Sequence, residues 1–356
     1  MLNDSSMATQ HRQQHDQNKN GGLKGTGSVI VIMVPFSLQS HMNQLLQLSC
    51  LISSYNVPVH YLGSTFCNSQ SIFASHSSLF SNNFPQARRV VIIHDVLTSS
   101  AVQDARSVAN AESYTFNCAS AFNIFSHYWE EMGKPSQIGG HEISIPINNL
   151  YLPSVLEGLT PESIRKMDHE YQFLGSRSGE LYNTSRSIEG NFLGLLSKLT
   201  ETTISNEKKI NIWAMGPLNP VTISSKVSST GRRDKCLEWL DNQKPNSVMY
   251  ICFGTTISMT NDQIEQVAVG LEQSGTKFIW VFRDADKGDH CTRARACCRS
   301  PSLPQGKSVR TLMASDEGDE MRKRAADLGA ALRTSTDEGG VSRMEWDSFV
   351  KHILRS

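Results

Sequence analysis

Ser28-Val-Ile-Val-Ile-Met-Val34 is an unbroken run of apolar, mostly β-branched residues, the composition of a strand buried on both faces of a parallel sheet. Pro35 to Ser40 interrupt the run, and Met42 to Tyr55 then place leucines and an isoleucine on one stripe of a helix. Val57 to Leu62 have the length and composition of a second strand. Together these segments predict a βαβ unit with a right-handed crossover.

The next part of the chain contains more short apolar runs of this kind. Arg89-Val-Val-Ile-Ile-His94, Glu180 to Asn183 and Ile210 to Ala214 each predict a further strand. Glu112 to Met132 is aromatic with a helical rhythm, and we expect one helix there. A succession of βα units is typical of an α/β domain with a parallel sheet, which we place at residues 28–220.

A second α/β domain begins after a polar linker at residues 221–233. Ser247 to Phe253 predicts a buried strand, and Thr260-Asn-Asp-Gln263 has the form of a capping box at a helix start. Gly275 suits the end of that helix, because glycine readily adopts the left-handed conformation found there. Lys277 to Phe282 predicts the next strand, so the βαβ pattern starts again here.

This second domain is predicted to be incomplete. His290 to Ser308 have no apolar periodicity, and helical character returns only at Val309 to Arg333. Ser342 is expected to cap a last helix that ends at Leu354. Two strands cannot form a doubly wound sheet, which usually has about five or six. We therefore assign residues 234–340 to a curtailed domain and residues 341–356 to a terminal helix.

Composition excludes several classes of protein. The 34 Lys and Arg residues balance the 34 Asp and Glu residues, so no basic surface for nucleic acid or anionic membrane is expected. No apolar run approaches the roughly 20 residues needed to span a bilayer. Residues 1–27 are rich in Gln, Asn, Ser and Gly, which predicts a disordered arm rather than a secretory signal. We expect a cytoplasmic monomer whose eight cysteines are reduced.

His41 and Asp95 are the candidate catalytic residues. His41 stands where the first strand has ended and a helix begins, and Asp95 follows the third strand. The carboxyl ends of parallel strands meet at one edge of the sheet, so Asp95 can orient the His41 ring and stabilise its protonated form. Such a dyad suits a general base that activates a hydroxyl. A solvated histidine and a turn aspartate explain the same two positions equally well.

Several motifs resemble those of one enzyme family. Val34-Pro-Phe-Ser-Leu-Gln-Ser-His-Met-Asn-Gln-Leu-Leu-Gln-Leu-Ser49 is similar to the opening motif of plant family-1 UDP-glycosyltransferases. Other motifs resemble the zeatin O-glucosyltransferase group: His60-Tyr-Leu-Gly-Ser64, Leu181-Tyr-Asn-Thr-Ser-Arg186, Cys236-Leu-Glu-Trp-Leu-Asp241 and the tail from Glu338 to His352. These motifs occur in the family's order, and the similarity covers residues 28–66, 87–289 and 309–356.

The resemblance implies a fold and a reaction. It implies a GT-B-like architecture of two Rossmann-like domains, and inverting transfer of a hexose such as glucose, or of xylose, from a UDP-sugar to a small hydroxylated acceptor such as a cytokinin. The family's catalytic base corresponds to His41, and the aspartate that partners it corresponds to Asp95. No metal or cofactor is expected, because this family stabilises the leaving diphosphate with protein groups. The spacing of His290, Cys291, Cys297 and Cys298 does not match a zinc site either.

Two parts of the family pattern are missing or short. The long donor-binding block, which holds the uracil, ribose, diphosphate and sugar, has no counterpart in His290 to Ser308, and Cys67 to Gln86 shorten the acceptor domain. Gly254, Thr255 and Thr256 are then the remaining donor contact, through backbone amides that can face phosphate. The sequence leaves two functions open: an impaired transferase, and an inactive remnant that retains acceptor binding.

Overall fold

A computed structural model of the chain describes residues 29–62, 87–108, 110–138, 140–143, 160–203, 210–218, 235–253, 259–281 and 305–355. The chain divides into two units. The first consists of residues 1–219 and 341–356, and the second of residues 220–340.

Strands and helices alternate in the first unit. Its elements are β1 (Val29–Val34), α1 (Gln39–Ser53), β2 (Val59–Tyr61), β3 (Arg89–Asp95), β4 (Ala111–Asn117), α2 (Ala121–Glu131), β5 (Gln137–Ile138), β6 (His141–Glu142), α3 (Pro161–Tyr171), β7 (Gly179–Tyr182), α4 (Arg186–Thr203) and β8 (Asn211–Ala214). Two 3₁₀ segments, Val96–Thr98 and Ser100–Ser107, follow β3. The five strands that the sequence predicts in this unit are confirmed, with ends that differ by two residues or fewer.

The main sheet has six strands in the order β2-β1-β3-β4-β7-β8, and all of its pairings are parallel. In the middle of β1, Ile32 lies opposite His60 of β2 on one side and Ile92 of β3 on the other. The chain therefore leaves β1 in one direction to form β2 and returns on the other side of β1 to form β3. This reversal of strand order makes a topological switch point between the carboxyl ends of β1 and β3.

Both faces of β1 are covered, as the continuous apolar run predicts. All six of its residues are buried. Val31 and Met33 belong to a core cluster that also contains the apolar stripe of α1. Ile30 and Ile32 belong to a second cluster on the opposite face, together with Ala101 of the 3₁₀ segment. Because side chains alternate along a strand, one short run supplies both cores.

The single helix expected at Glu112 to Met132 is wrong. The segment forms β4, a turn and then α2. The side chain of Ser120 caps the new helix by accepting a hydrogen bond from the Asn123 amide at 3.1 Å. Glu189 of α4 accepts from the next two amides, those of Ala121 and Phe122, at 3.0 Å each. The helix therefore begins at the Ser120 cap, inside the segment. The aromatic residues before Ser120 belong to a strand, and those after it belong to a helix.

The second unit contains α5 (Lys235–Asp241), β9 (Val248–Ile251), α6 (Asn261–Ser274), β10 (Lys277–Trp280), α7 (Gln305–Ala314) and α8 (Asp316–Ser335). The capping box at Thr260 and Gln263 is confirmed, and Gly275 ends α6 with a φ of 67°. Only two strands, β9 and β10, pair within the described residues of this unit, and they are parallel. The strand predicted at Ser247 to Phe253 is present as β9, but its predicted burial is wrong, since no residue of β9 is buried and Tyr250 is 66% exposed.

The terminal helix α9 (Val341–Ile353) packs on the first unit. Phe349, Val350 and Ile353 enter the core beneath β1 and α1. Ser342 does not cap the helix as predicted. It lies inside the first turn, buried, where its hydroxyl hydrogen-bonds the Gly216 carbonyl and the Ser185 hydroxyl at 3.1 Å each. Among the described residues, no helix combines the length and the apolar character needed to cross a membrane.

Candidate active site

The structure brings His41 and Asp95 together at the switch point of the sheet. His41 lies in the first turn of α1, directly after β1, and Asp95 is the last residue of β3. Nδ1 of His41 and Oδ2 of Asp95 are 2.7 Å apart, so the ring and the carboxylate form a close hydrogen-bonded pair. Ligands of open α/β sheets bind in the crevice at this edge. The pair therefore occupies the place where the fold offers a site.

Asp95 is fixed by three donors. Its side chain is fully buried. Oδ1 accepts the backbone amide of Leu97 at 2.9 Å, and Oδ2 accepts both the His41 ring and the thiol of Cys118 at 3.3 Å. A buried carboxylate needs such partners, because an uncompensated charge away from water is costly. The carboxylate is thus held in one orientation toward the imidazole.

The partner of Nδ1 determines which nitrogen of His41 is available for chemistry. A carboxylate oxygen accepts hydrogen bonds, so Nδ1 carries the proton and donates it to Asp95. In the neutral ring the lone pair is then on Nε2, which no described residue hydrogen-bonds. The side chain is 19% exposed, and the ring makes a T-shaped contact with Phe36 at a centroid distance of 5.4 Å. Nε2 is therefore the atom able to take a proton from a bound hydroxyl.

Cys118 is a site residue that the sequence analysis missed. It directly follows β4, the neighbour of β3, just as Asp95 ends β3. Burial first, and the nearby Asp95 charge second, raise the pKa of the Cys118 thiol. The thiol is therefore protonated at neutral pH and donates to the carboxylate. The argument that selected Asp95, a place directly after a strand of the sheet, would also have selected Cys118 if β4 had been predicted as a strand.

The proposed donor loop is not placed by the structure. Gly254, Thr255 and Thr256 lie outside the described residues, as do the shortened stretch at Cys67 to Gln86, the linker and His290 to Pro304. The expectations for these segments stay predictions.

His94 lies beside the dyad but takes no part in it. Its ring is buried in β3, and Nδ1 donates to the Asp95 carbonyl at 3.0 Å. Desolvation by burial, only partly offset by the Asp95 carbonyl and charge, lowers the pKa of His94 to about 4. The folded protein thus keeps this imidazole neutral under conditions in which the unfolded chain protonates it.

His94 should make the folded state sensitive to acid. Between pH 6.5 and about 4 the unfolded chain binds a proton here and the folded chain does not, so the free energy of unfolding falls as the pH falls. The pKa difference between the unfolded and folded chains corresponds to roughly 3 kcal/mol in the free energy of unfolding. His94→Asn keeps a donor for the carbonyl but does not titrate. Urea denaturation across this pH range should show that the free energy of unfolding falls less steeply with falling pH in the variant than in the unsubstituted protein. Equal slopes in the two proteins would contradict the assignment.

Comparison with known proteins places the chain in a family. Residues 27–78 and 71–220 match a family described as "Glycosyltransferase, N-terminal domain", which covers more than half of the chain. Zeatin O-glucosyltransferase of Phaseolus lunatus is 32% identical over 466 aligned positions, which cover 92% of this chain and 97% of that protein. The chain belongs to the plant family-1 UDP-glycosyltransferases. Within this family it is similar to the zeatin group, since zeatin O-xylosyltransferase of Phaseolus vulgaris is 31% identical over 94% of the chain and 100% of that protein.

Solved glycosyltransferases show the same fold. A UGT transferase of Siraitia grosvenorii in complex with UDP superposes with a TM-score of 0.67 at 16% identity, covering 92% of this chain and 100% of that one. A Phytolacca americana glycosyltransferase complexed with UDP-2-fluoro-glucose and pterostilbene gives 0.64, also at 16% identity, with 92% and 100% coverage. The fold is therefore GT-B-like, with two Rossmann-like domains.

The alignment lengths also show how this family member differs. The match to the Phaseolus lunatus enzyme spans 466 positions, whereas this chain has 356 residues. More than a hundred positions of the relative therefore have no counterpart here. Both ends of the relative are represented, so the missing positions are internal. This agrees with the absent donor signature and with an incomplete C-terminal domain.

Proposed function

We propose that this chain performs the acceptor-activating half of an inverting glycosyl transfer. The observation that supports the proposal is the 2.7 Å contact between His41 Nδ1 and Asp95 Oδ2 at the switch point, which leaves Nε2 as the base. The acceptor is a small hydroxylated molecule such as a cytokinin. The donor is a UDP-sugar that carries a hexose such as glucose, or xylose.

The reaction follows from the position of the proton. Nε2 of His41 removes the hydroxyl proton of the acceptor while the oxygen attacks the anomeric carbon. The bond from that carbon to the UDP oxygen breaks, and UDP leaves with the bonding electrons. A single displacement from the opposite face inverts the anomeric configuration. The buried carboxylate of Asp95 stabilises the imidazolium that forms, because opposite charges attract strongly where water is excluded.

The donor would contact the second unit through the loop Gly254-Thr255-Thr256. Backbone amides in such a loop can bind phosphate oxygens. A phosphate contact alone gives little affinity or specificity, since the contacts to base, ribose and sugar are then missing. No metal is invoked, because protein groups serve the diphosphate in this family.

The missing donor block favours a second function. More than a hundred positions of the Phaseolus lunatus enzyme have no counterpart in this chain, and no donor signature follows β10. A chain that keeps the acceptor site and cannot bind the donor would bind acceptors without turning them over. This acceptor-binding remnant is the alternative to transfer.

Calorimetric titration of the purified full-length chain with UDP-glucose separates the two functions. Transfer requires donor binding in the micromolar range, with UDP alone retaining part of the affinity. A titration with trans-zeatin on the same sample reports the acceptor site. Zeatin binding without any heat from UDP-glucose or UDP, in a protein that unfolds cooperatively, would replace the transfer proposal with the remnant. His41→Ala serves as the matched sample, since it should leave donor binding unchanged.

A further inference from the structure

The carboxyl ends of three adjacent strands present three different metal-ligating groups. His41 follows β1, Asp95 ends β3 and Cys118 follows β4. One imidazole nitrogen, one carboxylate oxygen and the thiol sulfur all lie within 4.8 Å of one another. Within the described part of the chain, this is the one such group of three. We call these three residues the edge cluster.

We propose that the edge cluster binds a zinc-like divalent transition metal, and that this metal switches the site off. Zinc takes nitrogen, oxygen and sulfur ligands in tetrahedral geometry at about 2.0–2.3 Å, which places pairs of ligand atoms about 3.3–3.5 Å apart. Sγ of Cys118 and Oδ2 of Asp95 already lie 3.3 Å apart, and Nδ1 of His41 lies 2.7 Å from the same oxygen. Nδ1 and Sγ lie within 4.8 Å of each other. The ion is admitted if the contact between Nδ1 and Oδ2 widens by less than an ångström and Nδ1 and Sγ settle at the tetrahedral spacing.

The charges of the occupied site balance. Binding displaces the proton of the Cys118 thiol to the solvent, whereas the proton lost from Nδ1 of His41 is replaced by one on Nε2, so the ring stays neutral. The ion's two positive charges then face one carboxylate and one thiolate, so the buried site is neutral. Without the ion, the thiol keeps its proton and donates it to Oδ2 of Asp95. Metal binding should therefore release one proton, that of the thiol.

The tautomer of His41 explains how the metal switches the site off. In the free protein Nδ1 donates to Asp95 and Nε2 carries the lone pair. A metal on Nδ1 uses the lone pair of that nitrogen, so the neutral ring must carry its proton on Nε2. Nε2 then cannot accept a proton from a hydroxyl. Metal binding itself stands apart from the proposed function, whereas this loss of the base rests on it.

Cobalt(II) is the probe, because a cobalt–thiolate bond produces an intense charge-transfer band in the near ultraviolet and zinc does not. The protein is the full chain with the other cysteines replaced by serine, at positions 50, 67, 236, 252, 291, 297 and 298. We expect this Cys118-only chain to bind one Co²⁺ with a thiolate band that Zn²⁺ abolishes. Calorimetry in buffers of different ionisation enthalpy should report the release of one proton. Because no donor or acceptor is present, failure of the transfer proposal does not affect this result.

Single substitutions test each ligand. Cys118→Ser should remove the thiolate band, and His41→Ala and Asp95→Asn should each weaken Co²⁺ binding by roughly tenfold or more. If the Cys118-only chain does not fold, the difference spectrum between the natural chain and its Cys118→Ser variant supplies the same band. Absence of the band overturns the proposal. So does a band whose strength and affinity are unchanged in both His41→Ala and Asp95→Asn.

Discussion

A chain that ends at Gly340, and so lacks α9, is expected to lose the cooperative unfolding of its first unit. Phe349 and Ile353 are fully buried and Val350 is almost so, all three in the core cluster under β1 and α1. Fully burying one such side chain contributes about 1.5–3 kcal/mol. Three of them together approach the whole stability of a typical domain, about 5–15 kcal/mol. The helix is the last element of the sequence but a central part of the first core.

Polar contacts fix the same helix in place. The Trp346 indole donates to the Met215 carbonyl at 2.7 Å, and Glu345 accepts the Ala214 amide at 3.1 Å. Arg89 of β3 donates to the Ile353 carbonyl at 3.0 Å, at the end of the helix where carbonyls lack helical partners. Truncation would take these partners away from the Met215 carbonyl, the Ala214 amide and the Arg89 guanidinium, as well as exposing the core. Both losses lower the free energy of unfolding.

A point substitution gives the graded form of this test. Phe349→Ala should lower the free energy of unfolding by about 3–5 kcal/mol, the usual cost of a buried phenylalanine. The ring meets Tyr114 and Trp213 edge to face at centroid distances of 5.4 and 5.2 Å, so the cavity has rigid aromatic walls. Met344→Ala, on the same helix but 54% exposed, is the control and should change stability by less than about 0.5 kcal/mol.

Urea denaturation followed by circular dichroism measures both variants. Equal midpoints for Phe349→Ala and Met344→Ala would show that α9 contributes little to the stability of the first unit. A truncated chain that still unfolds in one steep transition would show the same.

The sequence predicts the first sheet well, because β1, β3 and the helix between β1 and β2 depend on local patterns. Buried parallel strands are short and uniformly apolar, and the stripe of α1 repeats at helical spacing. The stretch from Glu112 to Met132 fails for a related reason. Aromatic residues suit a strand and a helix equally, so periodicity alone does not locate the turn at Ser120. The docking of α9 depends on contacts with residues over a hundred positions away, which no local pattern contains.

Of the three site residues, two could be predicted from the sequence and one could not. Placing His41 opposite Asp95 needs only the rule that carboxyl ends of parallel strands share an edge, and the structure puts them 2.7 Å apart. Finding Cys118 needs the order of the sheet, in which β4 adjoins β3, and that order rests on long-range pairing. With β4 assigned to a helix, the thiol had no predicted place at this edge. One misassigned element therefore hid one site residue.

Asp95→Asn is expected to reduce transfer by roughly 10²–10⁴-fold with the fold intact, the range in which positioned bases act. The Leu97 amide donates to Oδ1 at 2.9 Å, so the oxygen of the new side chain must stay at that position. The amide nitrogen then takes the place of Oδ2 and presents hydrogens to Nδ1 of His41. Nδ1 must become the acceptor, and the ring proton moves to Nε2. The base would be switched off by a change of tautomer, although the side chain keeps its shape.

Two measurements test this prediction, and the second does not require the protein to have transferase activity. Release of UDP with trans-zeatin as acceptor reports the rate of transfer. The rate should fall by a similar factor in His41→Ala and should not change in Asp262→Asn, a control at an exposed position. Nitrogen NMR of the histidine rings reports the tautomer directly, and the His41 signals are those absent from His41→Ala. The natural chain should show a proton on Nδ1 and Asp95→Asn a proton on Nε2. If both proteins carry the proton on Nε2, the carboxylate does not set the tautomer and the base assignment fails. If both carry it on Nδ1, a loss of rate in the variant has to come from the missing charge alone, because a neutral amide cannot stabilise the imidazolium as a carboxylate does.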